Sequence, residues 1–108
     1  MKQNANSLTI AIVTYLNLNG YKVWRQNTVG IYNVKRQAYM KNPNNMKGVS
    51  DIIGFNKTTG VFIAVEVKVG RDKLSQDQIY FKEDVLKAGG VYVEARSLDG
   101  FIDEFKKL

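Results

Sequence analysis

The sequence predicts a single α/β domain in which helices flank a central mixed β-sheet, in the order helix, three strands, helix, strand and a C-terminal helix. A length of 108 residues lies near the commonest domain size. The spacing of apolar residues changes from helical to strand-like and back along the chain. Residues Val61–Val67 are almost continuously apolar, as in a strand covered on both faces. With no linker or repeat, the domain is expected to span residues 1–108.

The first predicted helix follows from apolar residues that recur at helical spacing between Leu8 and Leu16. Asn6 or Ser7 is its expected N-cap, because both side chains accept hydrogen bonds from free backbone N–H groups. The helix should end near Asn19-Gly20, since glycine adopts the left-handed C-terminal conformation readily. Tyr21–Arg25 is then predicted to form a strand.

The segment 26–48 is polar, basic and hard to assign, and it contains the only proline of the chain. We predict a short strand around Gly30–Val34, followed by a mobile loop. Tyr32 and Tyr39 lie among basic residues, an arrangement that suits both base stacking and ordinary packing.

The second half of the chain contains the clearest predicted elements. They are a strand at Val49–Phe55, a hairpin turn at Lys57–Gly60, the strand Val61–Val67, a helix at Gln76–Lys87 closed by Gly89-Gly90, a strand at Val91–Ala95 and a final amphipathic helix capped by Asp99. Phe101 and Phe105 share one face of that last helix, so they are candidates either for a dimer interface or for the core.

Composition narrows the possible chemistry. The chain has no cysteine and no histidine, which excludes thiolate and imidazole ligands as well as a histidine base. Any metal must be bound through oxygen, and this favours Mg²⁺ or Mn²⁺ over Zn²⁺. No apolar run approaches the ~18 residues of a membrane span, and we expect no signal peptide.

The net charge of +6 is unevenly distributed. Residues 1–50 hold seven basic residues and no acidic one, whereas residues 51–108 hold nine basic and ten acidic residues. A basic half beside a half that carries carboxylates suits the binding and metal-assisted cutting of a polyanion. An ordinary solvated surface accounts for the charge equally well. The candidates for nucleic-acid contact are Arg25, Lys35, Arg36, Lys41 and Lys47.

Glu66 and Lys68 are unusual because they end the most hydrophobic strand of the chain. Residues two apart on a strand face the same side, so both side chains project together. Asp51, on the preceding strand, would approach Glu66 through the hairpin, and two close carboxylates are commonly neutralised by a divalent cation. The alternative is a surface Glu66–Lys68 pair with an unrelated Asp51.

The motif formed by Gly48-Val49-Ser50-Asp51 and Glu66-Val67-Lys68 resembles the D…ExK signature of the PD-(D/E)xK nucleases. More narrowly, the chain is similar to the VRR-NUC family, through Leu74–Gln78, Ala88–Tyr92 and Ala95–Ser97 as well. The likeness extends from about Leu8 to Phe105. It implies a restriction-endonuclease-like core.

The resemblance implies a role for each matched residue. Asp51 and Glu66 would bind Mg²⁺ or Mn²⁺, with the backbone carbonyl of Val67 as a third ligand. Lys68 would activate water or face the phosphate. Gln78 would point into the same site, although Ser75 and Gln78 also fit a capping box in which Gln78 only bonds backbone N–H groups.

One position departs from the family pattern. Members usually carry a Glu in the first turn of helix 1, where this chain has Ala5. Asn6 or Gln3 is a possible neutral substitute; otherwise the site holds one metal, binds it weakly or is disabled.

The resemblance implies a homodimeric endonuclease cutting branched DNA, such as Holliday junctions, in the cytoplasm of a bacterial or phage-infected cell. A nucleic-acid-binding module without activity and a small protein-interaction domain remain the alternatives.

Overall fold

The computed structural model describes residues 4–26, 31–40 and 46–108. Its elements are α1 (Ala5–Leu18), β1 (Tyr21–Arg25), β2 (Ile31–Asn33), β3 (Ala38–Met40), β4 (Ile52–Asn56), β5 (Phe62–Val67), α2 (Gln76–Lys87), β6 (Val91–Ala95) and α3 (Leu98–Lys106).

The main sheet has the strand order β1-β4-β5-β6. Its first three strands are antiparallel, and β6 runs parallel to β5 after the α2 crossover. This mixed sheet, with the order helix, three strands, helix, strand, helix, confirms the predicted α/β fold and is consistent with a PD-(D/E)xK core. A second, two-stranded sheet pairs β2 with β3.

The β2–β3 hairpin was only half predicted. The strand expected around Gly30–Val34 is confirmed as β2, Ile31–Asn33. The loop expected after it is wrong at Ala38–Met40, which forms β3. That segment has only three residues and no clear apolar alternation, so its pairing with β2 decides its conformation. Gly30 and the predicted loop at 41–45 lie outside the described residues, as do the side chains of Tyr32 and Tyr39.

The N-cap of helix α1 lies two to three residues before the predicted cap positions. Asn4 is the N-cap and accepts a hydrogen bond from the Ser7 N–H at 2.8 Å. The expectation of Asn6 or Ser7 was therefore wrong, because several residues in this stretch favour the cap position and the sequence does not rank them. The predicted end is confirmed, since Asn19 is the C-cap and Gly20 has a φ of +88°.

One face of the main sheet is packed mainly with apolar side chains from α1 and α3. Leu8, Ile12 and Leu16 project from α1 and are fully buried. They meet alternate residues of the four strands, among them Ile52 and Val65, which are also fully buried. We call this the α1/α3 face, and it contains the core of the domain.

Aromatic residues close one end of that core. The rings of Phe101 and Phe105 on α3 pack edge to face against Tyr15 on α1, with centroids 6.2 and 5.5 Å apart. Phe101 is 1% exposed. Of the two interpretations offered for these phenylalanines, core packing is therefore the one that the structure supports. The cap of α3 is Ser97 and not Asp99, which lies in the first turn.

Helix α2 covers only part of the opposite face. It lies over β6 and β5, and its Phe81 and Val85 line a cleft of about 510 Å³ together with Phe62. Over β1 and β4 this face carries exposed side chains, including Trp24 and Phe55. We call it the α2 face. Among the described residues, no helix is long and apolar enough to cross a membrane.

Candidate active site

The strand register brings Asp51 and Glu66 together on the α2 face. Ile52 pairs with Val65 across the antiparallel β4–β5 ladder, so continuing the register sets Asp51 opposite Glu66. Side chains of opposed residues point to the same face of a sheet. Strand β4 begins at Ile52 rather than at Val49, so Asp51 lies just before its first residue.

Asp51 is fixed by backbone contacts on both sides. Its Oδ2 accepts a hydrogen bond from the Val67 N–H at 2.8 Å. Its carbonyl oxygen accepts from the Gln26 N–H at 2.7 Å, which extends the β1–β4 ladder by one step. The backbone of Val67, predicted from the resemblance to supply a carbonyl ligand, therefore adjoins the two carboxylates, while the Val67 side chain is buried in the α1/α3 core.

Glu66 is held by two side chains that were also predicted to lie in the site. Gln78 donates from Nε2 to Glu66 Oε1 at 3.1 Å, and Lys68 Nζ lies 3.9 Å from the same oxygen. Glu66 is 2% exposed. The structure thus removes the alternative of a surface Glu66–Lys68 pair unrelated to Asp51.

Both interpretations of Gln78 are realised at once. Its Oε1 accepts from the Ser75 N–H at 2.8 Å while the Ser75 Oγ accepts from the Gln78 N–H at 3.2 Å, completing a capping box. Its amide nitrogen remains available for Glu66. The N-cap of α2 therefore sets the position of a side chain in the site.

Gly48 lets the segment before β4 pack against the first turn of α2. It has a φ of +82°, and a Cβ at this position would lie 2.3 Å from the carbonyl oxygen of Asp77. Only glycine combines that conformation with so close an approach. The contact joins the chain leading to Asp51 with the helix turn that carries Gln78.

The surroundings of Asp51 and Glu66 disfavour a negative charge on both carboxylates at once. Burial is the largest cause that raises the pKa of Glu66, and the neighbouring Asp51 raises it further, to about 8. Lys68 opposes the shift but does not overcome it. Glu66 Oε2 is buried and has no hydrogen-bond partner. Without a cation, Glu66 is therefore largely protonated near neutral pH.

Two further buried hydroxyls adjoin this pair. The Ser50 Oγ and the Tyr92 hydroxyl have no hydrogen-bond partner of good geometry. Burial raises the pKa of Tyr92 to about 12; Ser50 opposes this shift, whereas Glu66 is among the carboxylates that add to it. Buried polar groups without partners are uncommon, and their grouping around Glu66 marks a site built for a polar ligand.

The donor set suits a hard divalent cation. Asp51 and Glu66 offer carboxylate oxygens, one of them buried and unpartnered, and the backbone of Val67 lies beside them. Oxygen-only ligands are those that Mg²⁺ and Mn²⁺ prefer. Within the described parts of the chain, no group of three or more carboxylates is assembled, so the protein offers at most two acidic ligands here.

The departure at helix 1 is visible in the structure. Ala5 is exposed in the first turn of α1 and brings no carboxylate. Asn6, considered as a substitute, accepts a hydrogen bond from the Arg25 guanidinium through its Oδ1. Gln3 lies outside the described residues.

The basic residues predicted for nucleic-acid contact do not form one cluster. Arg25 ends β1 next to Asp51 in the sheet, and Lys47 is exposed just before Gly48. Lys35 and Arg36 are exposed in the turn between β2 and β3. Lys41 lies outside the described residues. The structure brings together Asp51, Glu66, Lys68 and Gln78, whereas the Arg25 guanidinium bonds to Asn6 of α1.

Comparison with protein families now identifies the domain. The family model described as the VRR-NUC domain matches residues 20–98, well over half of the chain. The chain belongs to the VRR-NUC family. Its match begins at Gly20, so α1 lies outside it, although the resemblance seen in the sequence extended from about Leu8 to Phe105. No curated protein and no solved structure gives a significant match.

VRR-NUC membership makes the chain a nuclease domain of the PD-(D/E)xK type, a class that typically uses divalent metals. The matched region contains every element of the main sheet and the whole of α2. It also contains three residues near the candidate site to which the sequence assigned no role there: Ser50, Tyr92 and Trp24. Ser50 and Tyr92 lie in matched motifs, but the proximity of all three to the pair depends on strand register, which no local pattern gives.

Proposed function

We propose that this protein is a metal-dependent, structure-selective DNA endonuclease that hydrolyses phosphodiester bonds in branched DNA such as Holliday junctions. The observation that carries the proposal is the close pairing of Asp51 with the buried Glu66, whose Oε2 has no hydrogen-bond partner. Repulsion between two close carboxylates, one of them buried, favours a site that binds either a proton or a cation. Family membership supports the nuclease class, and the geometry supports the choice of residues.

Asp51, Glu66 and the backbone carbonyl of Val67 would hold Mg²⁺ or Mn²⁺. A bound divalent cation supplies Lewis acidity, activates water for attack and offsets the charge that accumulates on the phosphate. The protein contributes rigidity, since Asp51 is fixed by Val67 and Gln26 and Glu66 by Gln78. Ligands fixed in advance need little reorganisation when the substrate arrives.

Lys68 is the proposed catalytic side chain that carries a positive charge. Its ammonium group lies 3.9 Å from Glu66 Oε1 and is only partly exposed. From there it orients the attacking water or donates to a phosphate oxygen. Water adds to phosphorus, one bridging P–O bond breaks, and the leaving oxygen takes up a proton. Gln78 acts by positioning Glu66.

Binding would rest on the phosphate backbone. Arg25 precedes Gln26, whose N–H bonds to Asp51, and Lys47 precedes Gly48, while Lys35, Arg36 and Lys41 belong to the hairpin segment and its following residues. Phosphate contacts position a protein without reading sequence, so affinity should fall steeply with salt. With little room for a base-reading domain in 108 residues, shape is the expected basis of recognition.

A branched substrate is proposed together with a homodimer. A two-fold dimer would present two sites to a four-way junction, whose arms are themselves related by approximate symmetry. Light scattering at working concentration tests this part. A monomer, or equal cutting of linear duplex and junction, would contradict the junction-selective form while leaving the nuclease intact.

The second candidate is a DNA-binding module with weak or absent activity. It is favoured by one observation: the first turn of α1 carries Ala5, and Asn6 is engaged by Arg25. Loss of a metal ligand or its support reduces affinity for the metal. This candidate predicts salt-sensitive binding of DNA and no cleavage in either metal.

Cleavage of a labelled four-way junction and of a matched linear duplex separates these candidates. Reactions contain Mg²⁺, Mn²⁺ or EDTA, with Asp51→Ala and Lys68→Ala proteins in parallel and Glu94→Gln as the matched control. Glu94 pairs with Glu66 in the β5–β6 register but bonds to Arg96 at 2.6 Å. We expect metal-dependent cutting by the parent and control, and none by the other two. Cutting by Asp51→Ala at the parental rate would refute the proposed site.

A further inference from the structure

Trp24 stands exposed on the α2 face beside the proposed site. On β1, Val23 is buried in the core whereas Lys22 and Trp24 face away from it, and the Trp24 side chain is 45% exposed. A half-exposed indole is a large apolar surface, and it is the single tryptophan of the chain.

The strand register sets Trp24 next to Asp51. Trp24 pairs with Ile53, and Asp51 is two residues further along the same face of the chain that forms β4. The two are thus diagonal neighbours, whose Cα atoms lie about 7–8 Å apart in an antiparallel pair. The register therefore puts the indole on the Asp51 side of the proposed site, on the same face of the sheet.

The proximity of Trp24 to Asp51 favours nucleic acid over a protein as the molecule that contacts the indole. Any occupant of the Trp24 surface would share space with a phosphate held near Asp51 and Glu66, so a protein partner there would block the substrate. Lys22 lies on the same face two residues away and is exposed, which adds a positive charge suited to a phosphate backbone. Aromatic residues interleaved with cations are typical of surfaces that bind unpaired nucleotides.

We infer that Trp24 stacks on a base next to the scissile phosphate, so that the enzyme selects DNA with an unpaired nucleotide beside the cut. This inference rests on the proposed nuclease function and specifies its substrate. A base inside a duplex already stacks on both faces and is unavailable to the indole. A bulge or a single-stranded end has a base with a free face, and a four-way junction has one where pairing opens at its branch point.

Tryptophan fluorescence tests the contact without a mutation. In EDTA, which prevents cutting, the parent protein is titrated with short single-stranded oligothymidylate, with an abasic oligomer of the same length and with blunt duplex. Label anisotropy measures binding in parallel. We expect oligothymidylate to quench the emission, and the abasic oligomer and the duplex to bind without doing so.

Three results would overturn the inference. The first is bound oligothymidylate that leaves the emission unchanged, and the second is no binding of oligothymidylate at low salt. The third is an emission shift that depends on protein concentration without DNA, which would identify a second copy of the chain on this face. Continued metal-dependent cutting in any of these cases would leave the proposed nuclease function standing.

Variants connect the contact with substrate choice. Trp24→Ala should weaken binding of oligothymidylate roughly ten-fold, in line with stacking contributions measured by alanine substitution. It should also lose the preference for a bulged duplex over a blunt duplex, whereas Trp24→Phe should keep part of it. Phe55→Ala is the matched control, an exposed aromatic on the same face four residues from Asp51. A Phe55→Ala protein that lost the preference equally would contradict the assignment to Trp24.

Discussion

The two faces of the main sheet differ in the polarity of their buried side chains. On the α1/α3 face the strands bury apolar side chains against two helices, and the described core includes Phe101, Leu8 and Ile12 at 1% exposure or less. On the α2 face the same strands carry Asp51 and Glu66, with buried hydroxyls that lack partners. The core thus lies on one face and the proposed active site on the other, because a site that must accept a polar ligand cannot satisfy all of its own polar groups.

Truncation on the α1/α3 face should have the largest effect on stability. Phe101→Ala removes a fully buried ring from an aromatic cluster with Tyr15 and Phe105. We expect a loss of about 3–5 kcal/mol in the free energy of unfolding, measured by chemical denaturation. Tyr80→Ala, at an exposed position on α2, is the control and should change little. A Phe101→Ala protein as stable as the parent would mean that α3 does not close the core.

The pH dependence of stability should arise on the α2 face, from the ionisation of Glu66. The folded-state pKa of Glu66 is about 8 against an ordinary value of 4.5, so between these values the folded protein binds the extra proton. Its stabilising contribution is complete below pH 4.5 and is lost as pH rises through about 8. In EDTA, the parent should therefore lose stability with rising pH, by up to about 1.4 kcal/mol per pH unit from this group.

Glu66→Gln provides the comparison for that profile. The amide cannot ionise, so the free energy of unfolding of the variant should change less with pH than that of the parent between these pH values. Without metal, the variant should be at least as stable as the parent near pH 8. Denaturation curves at pH 5 and pH 8 in EDTA measure both. If stability changed equally with pH in the two proteins, ionisation of Glu66 would not be the cause of the pH dependence.

Gly48→Ala should disturb the site more than the core. The added Cβ meets the backbone of Asp77 and requires a strained left-handed conformation, so we expect a loss of about 2 kcal/mol. Because the contact positions the first turn of α2, cleavage should fall further than stability explains. Gly60→Ala, also at positive φ but with open space around its Cβ, is the control and should keep its activity. Equal cleavage activity of the two variants would show that the Gly48 contact does not position the site.

Ser75→Ala should give the smallest change. It removes one half of the capping box while leaving the Gln78 amide near Glu66, and N-cap losses are about 1 kcal/mol. Gln78→Ala removes the other half of the capping box together with the contact to Glu66, so its activity should fall below that of Ser75→Ala at similar stability. Thermal unfolding with parallel cleavage rates measures the difference. Matching activities would reduce Gln78 to a capping role.

The sequence predicted those parts of the molecule that depend on local signals. The bounds of α2 and β6 are confirmed as predicted, because Ser75 and Gly89 punctuate clear apolar patterns. The grouping of Asp51, Glu66 and Lys68 followed from alternation and a short hairpin. The N-caps of α1 and α3 were wrong, since Asn6, Ser7 and Asp99 are all good caps in isolation.

Features that depend on distant pairing were missed. The parallel β5–β6 register brings Tyr92 opposite Ala64, two residues from Glu66, and no local pattern contains that information. The exposure of Trp24 depends on where α2 stops covering the sheet, which is a consequence of packing. The short strand β3 depends on its pairing with β2 in the same way.

The proposed function requires one cation bound by Asp51 and Glu66, and Mn²⁺ titration followed by electron paramagnetic resonance tests this most directly. The parent, Glu66→Gln and the control Glu94→Gln are compared at pH 8 without DNA. The account predicts one Mn²⁺ per chain for the parent and the control, and affinity weakened at least about ten-fold in Glu66→Gln. Equal Mn²⁺ binding by the parent and Glu66→Gln would contradict the proposed metal site, because Asp51 and Glu66 would then not hold the cation.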